Sequence, residues 1–72
     1  MEHIEIPPHV QRLREEHEQL EQRLRKLKAF FSNPIFDSLD EQEKADMVIQ
    51  EDLMNRLEKV LSRRLARALA KI

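Results

Sequence analysis

The sequence contains no glycine, cysteine, tryptophan or tyrosine, and its only aromatic residues are three phenylalanines. Glycine is the residue that tight hairpins, β-bulges and phosphate-cradling loops favour, so its absence argues against an all-β domain, a P-loop and a dinucleotide fingerprint. The absence of cysteine excludes disulfides, thiolate zinc sites and a cysteine nucleophile. A chain of 72 residues is long enough for one domain at most, which spans residues 1–72. A composition with 38% charged residues is typical of long helices.

Neither a strong positive charge nor a long apolar run is present. Thirteen basic and fourteen acidic residues give a formal charge of -1, so we expect no DNA binding driven by a global positive field. No apolar stretch approaches the ~20 residues that span a bilayer, and the N-terminus lacks the basic and apolar regions of a signal peptide. We expect a soluble, cytoplasmic protein with no membrane partner.

The first half of the chain has the pattern of one long helix. Pro7 and Pro8 fix the backbone where a helix could begin, because proline is tolerated in a first turn. Apolar residues and one histidine then recur at alternating intervals of three and four, the heptad spacing of coiled coils: Val10, Leu13, His17, Leu20, Leu24, Leu27 and Phe31. We predict an arm over residues 1–7, a helix over 8–31 and, at Ser32-Asn33-Pro34, the start of a corner over 32–38.

The second half predicts another helix, over residues 39–71. Ser38 and Glu41 have the spacing of a capping box, with Ser38 as the N-cap. The main apolar stripe consists of Met47, Met54, Leu57, Leu61, Leu65, Ala68 and Ile72. The stripe is widened beyond a two-helix seam by Ile49, Leu53, Val60 and Leu69.

These two helices predict an all-α fold, an antiparallel two-helix hairpin with a short N-terminal arm. At ~1.5 Å per residue the first helix is roughly 36 Å long and the second roughly 50 Å, so the end of the second helix lacks a partner from its own chain. Self-association is the simplest way to cover that end, and we expect a helical homo-oligomer. The predicted interface residues are Leu61, Leu65, Ala68, Leu69 and Ile72.

The sequence offers little for catalysis. None of the three serines has a histidine nearby in sequence, and His17 is not followed by a second histidine at helical metal-ligand spacing. We therefore expect no enzyme, no metal site and no cofactor. His17 itself occupies a seam position, where it is either a satisfied interhelical histidine that marks the register or a histidine that binds ligand or senses pH.

Two basic clusters are the main candidates for binding. One lies before the corner and consists of Arg23, Arg25, Lys26 and Lys28; the other consists of Arg63, Arg64 and Arg67. Each is either a solvated face that complements its helix dipole or part of an anion site. A ring of protomers would bring several copies of one arginine toward an axis and create an anion pocket that a monomer lacks.

A resemblance to a known family rests on the corner and its flanks. The run Leu27-Lys28-Ala29-Phe30-Phe31-Ser32-Asn33-Pro34-Ile35-Phe36, with the opening Ile6-Pro7-Pro8-His9-Val10-Gln11-Arg12, resembles short bacteriophage helical-hairpin proteins. These are similar to the hairpin domain of phage anti-CBASS sponges, homohexamers that sequester the cyclic oligonucleotide signals of bacterial immunity. The resemblance covers residues 6 to about 65.

The resemblance implies binding roles for particular residues. In the sponges, cyclic dinucleotides lie between protomers against an aromatic residue near the start of the first helix and a lysine near its end; Lys26 matches the lysine. No tyrosine or phenylalanine precedes Phe30, so only His9 or His17 offers a flat ring there. A cyclic trinucleotide pocket in that family is lined by arginines near a threefold axis. The implied ligand-binding residues are His9, Arg12, Lys26, Arg63, Arg64 and Arg67.

The predicted function is a non-enzymatic phage sponge for cyclic di- or trinucleotides in the host cytoplasm. We expect it to be a homo-oligomer, specifically a hexamer. The alternative is a phage structural or adaptor hairpin that oligomerises and binds another protein.

Overall fold

The computed structural model describes residues 5–72, which form three helices and no strand. Helix α1 spans Pro8–Phe30, the short helix α2 spans Pro34–Asp37, and α3 spans Glu41–Ala70. The predicted all-helical fold is confirmed for this part of the chain. Part of the predicted N-terminal arm, residues 1–4, lies outside the described residues. No helix within 5–72 is both long and apolar enough to cross a membrane.

Helices α1 and α3 pack against each other in opposite directions. The Nε2 atom of His17 lies 3.2 Å from Oε1 of Glu58, and the Nζ atom of Lys28 lies 3.8 Å from Oε1 of Glu51. As α1 advances from residue 17 to residue 28, its partner on α3 therefore moves back from residue 58 to residue 51. The predicted helical hairpin is confirmed, while its assembly into an oligomer stays a prediction.

The corner contains a helix where the sequence predicted only a connection. The side chain of Asn33 accepts a hydrogen bond of 2.9 Å from the backbone N–H of Ile35 and so caps α2. This turn places the ring of Phe36 with its centroid 5.2 Å from that of Phe31 and 6.1 Å from that of Phe30, both edge to face. The corner thus packs Phe36 back onto Phe31.

The N-cap of α3 is Asp40, and the prediction of Ser38 is wrong. The Asp40 carboxylate accepts a hydrogen bond of 2.7 Å from the N–H of Glu43, whereas the Ser38 hydroxyl donates to the carbonyl of Ile35 at 2.6 Å. Both residues have a glutamate three positions later, so spacing alone could not separate them. Ser38 is already the C-cap residue of α2, and α3 begins only after it.

The core of the hairpin is small and its seam is partly polar. Four apolar side chains among residues 5–72 are buried: Val10, Leu20, Leu24 and Leu61. Glu51 and Glu58 occupy the α3 face that meets α1, where Lys28 and His17 pair with them. Leu57, predicted for this stripe, is instead 46% exposed. Pairing by His17 lets Glu58 lie in the seam, and the adjacent Leu57 consequently lies toward solvent.

The unpartnered end of α3 is also not where the lengths of the helices placed it. Leu61 is 1% exposed and belongs to the hairpin core, while Leu65 and Ala68 are half-buried. The extra length of α3 lies at the corner, where Lys44 places its Nζ 6.0 Å from the ring centroid of Phe36 on α2. Leu61 is thus covered by its own chain, which corrects its assignment to the uncovered face. The predicted interface residues that remain exposed are Leu69 and Ile72.

Candidate anion-binding site

Lys26 lies in a cationic surface near the C-terminal end of α1. Together with Gln22 and Arg25 it lines a shallow groove of about 210 Å³, and we call these three residues the Lys26 patch. Residues four apart on a helix are neighbours, which is why Gln22 and Lys26 share this surface. Within residues 5–72, neither Arg25 nor Lys26 forms an ion pair. Their charges are available to an anion.

A second groove, of about 240 Å³, lies between the two long helices and is lined by Glu21, Leu24, Arg25, Lys28, Asn55 and Glu58. Two of its lining residues are carboxylates, and Lys28 is already paired with Glu51. Negative charge in this groove opposes a phosphate, because like charges at short range repel. Arg25 lines both grooves, but only the Lys26 patch presents cations without a carboxylate among its lining residues.

The other predicted binding residues lie at the opposite end of the hairpin. The antiparallel packing brings the start of α1 beside the last turns of α3, and all five side chains are exposed. We call this set the arginine end: His9, Arg12, Arg63, Arg64 and Arg67. None of its three α3 arginines forms an ion pair with another described residue.

One chain does not bring the two cationic surfaces together. Arg12 and Lys26 are fourteen residues apart on one helix, which at ~1.5 Å per residue separates them by ~21 Å along its axis. The sequence-predicted residues therefore form two groups, the Lys26 patch and the arginine end. Gln22 was missing from the predicted residues, although its helical spacing to Lys26 was a signal for it. Arg25 belonged to the predicted basic cluster but not to the implied ligand-binding residues.

His17 is held between two carboxylates. Its Nδ1 lies 3.0 Å from Oε1 of Glu21 and its Nε2 lies 3.2 Å from Oε1 of Glu58. The side chain is 13% exposed, so its ring faces are not available for stacking on a base. The prediction of a satisfied interhelical histidine is confirmed, and His9 remains the exposed ring on α1.

The same three residues carry ligand atoms within 4.8 Å of one another, close enough to be considered for a metal ion. The two carboxylates, however, face different nitrogens of the ring. A cation bound to either nitrogen would therefore have only one of these carboxylates beside it, whereas zinc sites usually take three or four protein ligands. The arrangement is a polar contact that joins α1 to α3 through His17 and Glu58.

The aromatic residues of the corner do not extend the Lys26 patch. Phe30, Phe31 and Phe36 are half-buried and stack on one another. Their role is to connect α1 to α2. Stacking on a ligand at Lys26 is therefore not provided by this chain's phenylalanines.

Comparison with known proteins gives one finding. The family model of Sequestin matches residues 7–67, a range that contains α1, α2 and α3 as far as Arg67. The comparisons with curated proteins and with solved structures give no match. Because the matched range includes the Lys26 patch, the corner and the arginine end, the match concerns the hairpin as a whole. The chain belongs to the Sequestin family, the anti-CBASS sponges for cyclic oligonucleotides.

Proposed function

We propose that this protein is a non-enzymatic phage sponge that sequesters cyclic oligonucleotide signals in the cytoplasm of the host. The proposal is carried by one observation: a Sequestin hairpin presents two exposed groups of cations that no carboxylate of residues 5–72 neutralises. Unpaired Lys and Arg side chains are the groups that recognise phosphate by charge-assisted hydrogen bonds.

The Lys26 patch is the proposed site for a cyclic dinucleotide. Lys26 supplies a point charge, Arg25 a planar fork that binds phosphate through two hydrogen bonds, and Gln22 a neutral donor for a base or ribose. The patch is a shallow groove on one helix and covers only one side of a ligand. A second copy of the chain would have to cover the other side, in keeping with binding between protomers.

The arginine end is the proposed site for a cyclic trinucleotide. Arg63, Arg64 and Arg67 lie within five residues of one another on α3 and are exposed. Around a symmetry axis each arginine would be repeated once per protomer, so a few residues would form a ring of positive charge. In one chain the ~21 Å between the two groups is too long for one small ligand to touch both. The proposed hexamer would carry two kinds of site.

Calorimetric titration of the assembled protein with a panel of cyclic di- and trinucleotides tests the proposal. We expect saturable binding, and we expect Lys26→Glu to abolish binding of the dinucleotides, because each charge-assisted contact contributes ~1.5 to 3 kcal/mol. The matched control is Arg23→Glu, the same change of charge at an exposed α1 residue that lines neither groove. Flat titrations of the wild-type oligomer across the whole panel would refute the sponge.

For the arginine end the corresponding variant is Arg67→Glu, which we expect to abolish binding of the trinucleotides and to leave the dinucleotides bound. Its control is Lys59→Glu, an exposed cation on the same helix outside the arginine end. Circular dichroism should show unchanged helical content in all four variants. Equal loss of both ligand classes in Arg67→Glu would contradict the assignment of two separate sites.

A second candidate function, an adaptor that binds another protein, is favoured by one observation. Ile49, Leu53 and Val60 are exposed apolar residues in the middle of α3, and an exposed apolar patch often marks a protein interface. An adaptor would give flat nucleotide titrations, and Leu53→Glu would abolish capture of its protein partner. A sponge would bind nucleotides and lose that binding in Lys26→Glu.

A further inference from the structure

The groove of about 240 Å³ between α1 and α3, which we call the interhelix groove, combines an apolar residue with hydrogen-bond acceptors. Leu24 lines it and is only 7% exposed, so it offers an apolar surface to the flat face of a base. Glu21 and Glu58 line it from the two helices. A carboxylate oxygen of one lies within 4.8 Å of a carboxylate oxygen of the other. The groove is smaller than the ~300 Å³ at which pockets for drug-sized ligands begin, so it fits one part of a dinucleotide.

The separation of the two carboxylates matches the hydrogen atoms of one amino group. The N–H bonds of a planar amino group diverge by ~120°, so two acceptors at ~2.9 Å from its nitrogen lie ~5 Å apart. Each carboxylate has about four lone-pair sites, and His17 takes one on each. Adenine, cytosine and guanine carry an exocyclic amino group, whereas uracil presents carbonyl oxygens that carboxylates repel. The groove therefore favours a base that has an amino group.

Guanine fits this lining better than adenine does. On the Watson–Crick edge of guanine the amino group is followed by a second donor, N1–H, whereas adenine has an acceptor at N1. Carboxylates accept hydrogen bonds and cannot donate them, so they complement both donors of guanine and oppose the N1 atom of adenine. Asn55 also lines the groove. Its Nδ2 donates one hydrogen to Glu51 and carries a second one that suits the O6 carbonyl of guanine.

The interhelix groove lies beside the Lys26 patch, and Arg25 lines both. Their α1 residues occupy the same turns, Glu21 to Lys28 for the groove and Gln22 to Lys26 for the patch. The two faces are about 100° apart around the helix, which is roughly 8 Å at its surface. A phosphate held at Lys26 therefore leaves the base of the same nucleotide within reach of the groove. The patch suits the negative part of the ligand, and the groove suits the part that donates N–H bonds.

We propose that the interhelix groove reads the base of the sequestered nucleotide, and that Glu21 and Glu58 select guanine by accepting hydrogen bonds from its amino group and its N1–H. The inference rests on the sponge proposal, because it concerns the same ligand. It supplies what the two cationic groups cannot, since contacts to phosphate position a nucleotide without identifying its base. The packing of α1 on α3 forms the groove, so every protomer carries one.

Calorimetric titration of the assembled wild-type protein with four cyclic dinucleotides tests the choice of base. The probes are cyclic di-GMP, cyclic di-AMP, cyclic di-UMP and cyclic di-IMP, whose hypoxanthine keeps the N1–H of guanine and lacks only the amino group. Cyclic di-GMP should bind about 10- to 100-fold more tightly than the other three, because each of them loses charge-assisted hydrogen bonds. Equal affinities, or a preference for any of the other three, would overturn this inference and leave the sponge intact. Flat titrations with all four probes would refute the sponge and this inference together.

Substitution of Glu21 tests whether the groove causes the preference. The contact of Glu21 with His17 stays within α1, so Glu21→Gln leaves the contact between the helices in place. It should weaken binding of cyclic di-GMP about tenfold and change that of cyclic di-UMP by less than about twofold. Unfolding or loss of assembly would weaken both ligands alike. The matched control is Glu16→Gln, at an exposed α1 position about 130° from the centre of either groove, which should keep the wild-type preference. An unchanged ratio of the two affinities in Glu21→Gln would contradict the assignment.

Discussion

At the scale of single residues, His17 shows how a polar group can be part of a seam. A neutral imidazole has one N–H and one lone pair, so it can donate to only one of the two carboxylates that face it. The ring nitrogens of His17 lie 3.0 Å from Oε1 of Glu21 and 3.2 Å from Oε1 of Glu58. The contact with Glu21 stays within α1, and the contact with Glu58 joins α1 to α3.

The contact between His17 and Glu58 should be measurable as a coupling energy. In a double-mutant cycle with His17→Gln and Glu58→Gln, we expect a coupling of about 0.5 to 1.5 kcal/mol in the free energy of unfolding, a modest value because Glu58 is partly exposed. Chemical denaturation of the four proteins gives the number. The pair Arg56 and Asp52, which is exposed and lies within one helix, provides the control cycle and should couple by less. Equal couplings would mean that the seam contact adds nothing to an ordinary surface pair.

At the scale of elements, the two long helices show where sequence patterns were sufficient to predict the seam and where they were not. The heptad spacing placed Val10, Leu20 and Leu24 on the buried face of α1, because every third or fourth residue of a helix shares a face. On α3 hydrophobicity alone selected Leu57 for the seam, although Met54 could be followed by residue 57 or residue 58 at equally good spacing. The choice depended on His17, a residue of the other helix, and periodicity within α3 does not contain that information.

The candidate binding residues also divide into features that the sequence indicated and features that only the structure shows. The cluster around Lys26 was visible as a run of basic residues, and its helical spacing to Gln22 follows from the sequence. The sequence did not show which cations remain unpaired, because Lys28 pairs with Glu51, a residue of the opposite helix. The distance between the Lys26 patch and the arginine end likewise required the antiparallel register. Tertiary pairing, more than composition, decides which charges are free.

The N-cap of α3 can be tested with two substitutions. Asp40→Ala should lower the free energy of unfolding by about 1 kcal/mol, because it leaves the N–H of Glu43 without its acceptor. Ser38→Ala should cost less, since the Ser38 hydroxyl donates only to the last turn of α2. Thermal melts of both variants rank the two residues. A larger loss for Ser38→Ala would restore Ser38 as the residue that starts the helix.

The aromatic corner makes a separate prediction. Phe31→Ala should destabilise the hairpin by about 2 to 3 kcal/mol, less than for a fully buried phenylalanine because the ring is half-buried. A phenylalanine that only stacked on ligand would leave the melting temperature unchanged and lose nucleotide binding. Melts with and without nucleotide distinguish these results. Phe36→Ala is the matched variant and should behave alike, since it removes the same edge-to-face pair.

At the scale of the whole molecule, the single hairpin is a thin rod with extents of 56 × 20 × 15 Å. Only four apolar side chains of residues 5–72 are buried in it, and small helical chains with so little core commonly need association to be stable. We expect folding and assembly to be linked by mass action, so that raising the concentration favours the assembled, folded state. The melting temperature should therefore rise by about 5 to 10 °C for a hundredfold increase in protein concentration, measured by circular dichroism. Leu53→Glu places a charge among the exposed apolar residues of α3, so it should weaken this dependence and lower the melting temperature at every concentration. A wild-type melting temperature that is independent of concentration would mean that one hairpin is stable alone and that association contributes nothing to the fold.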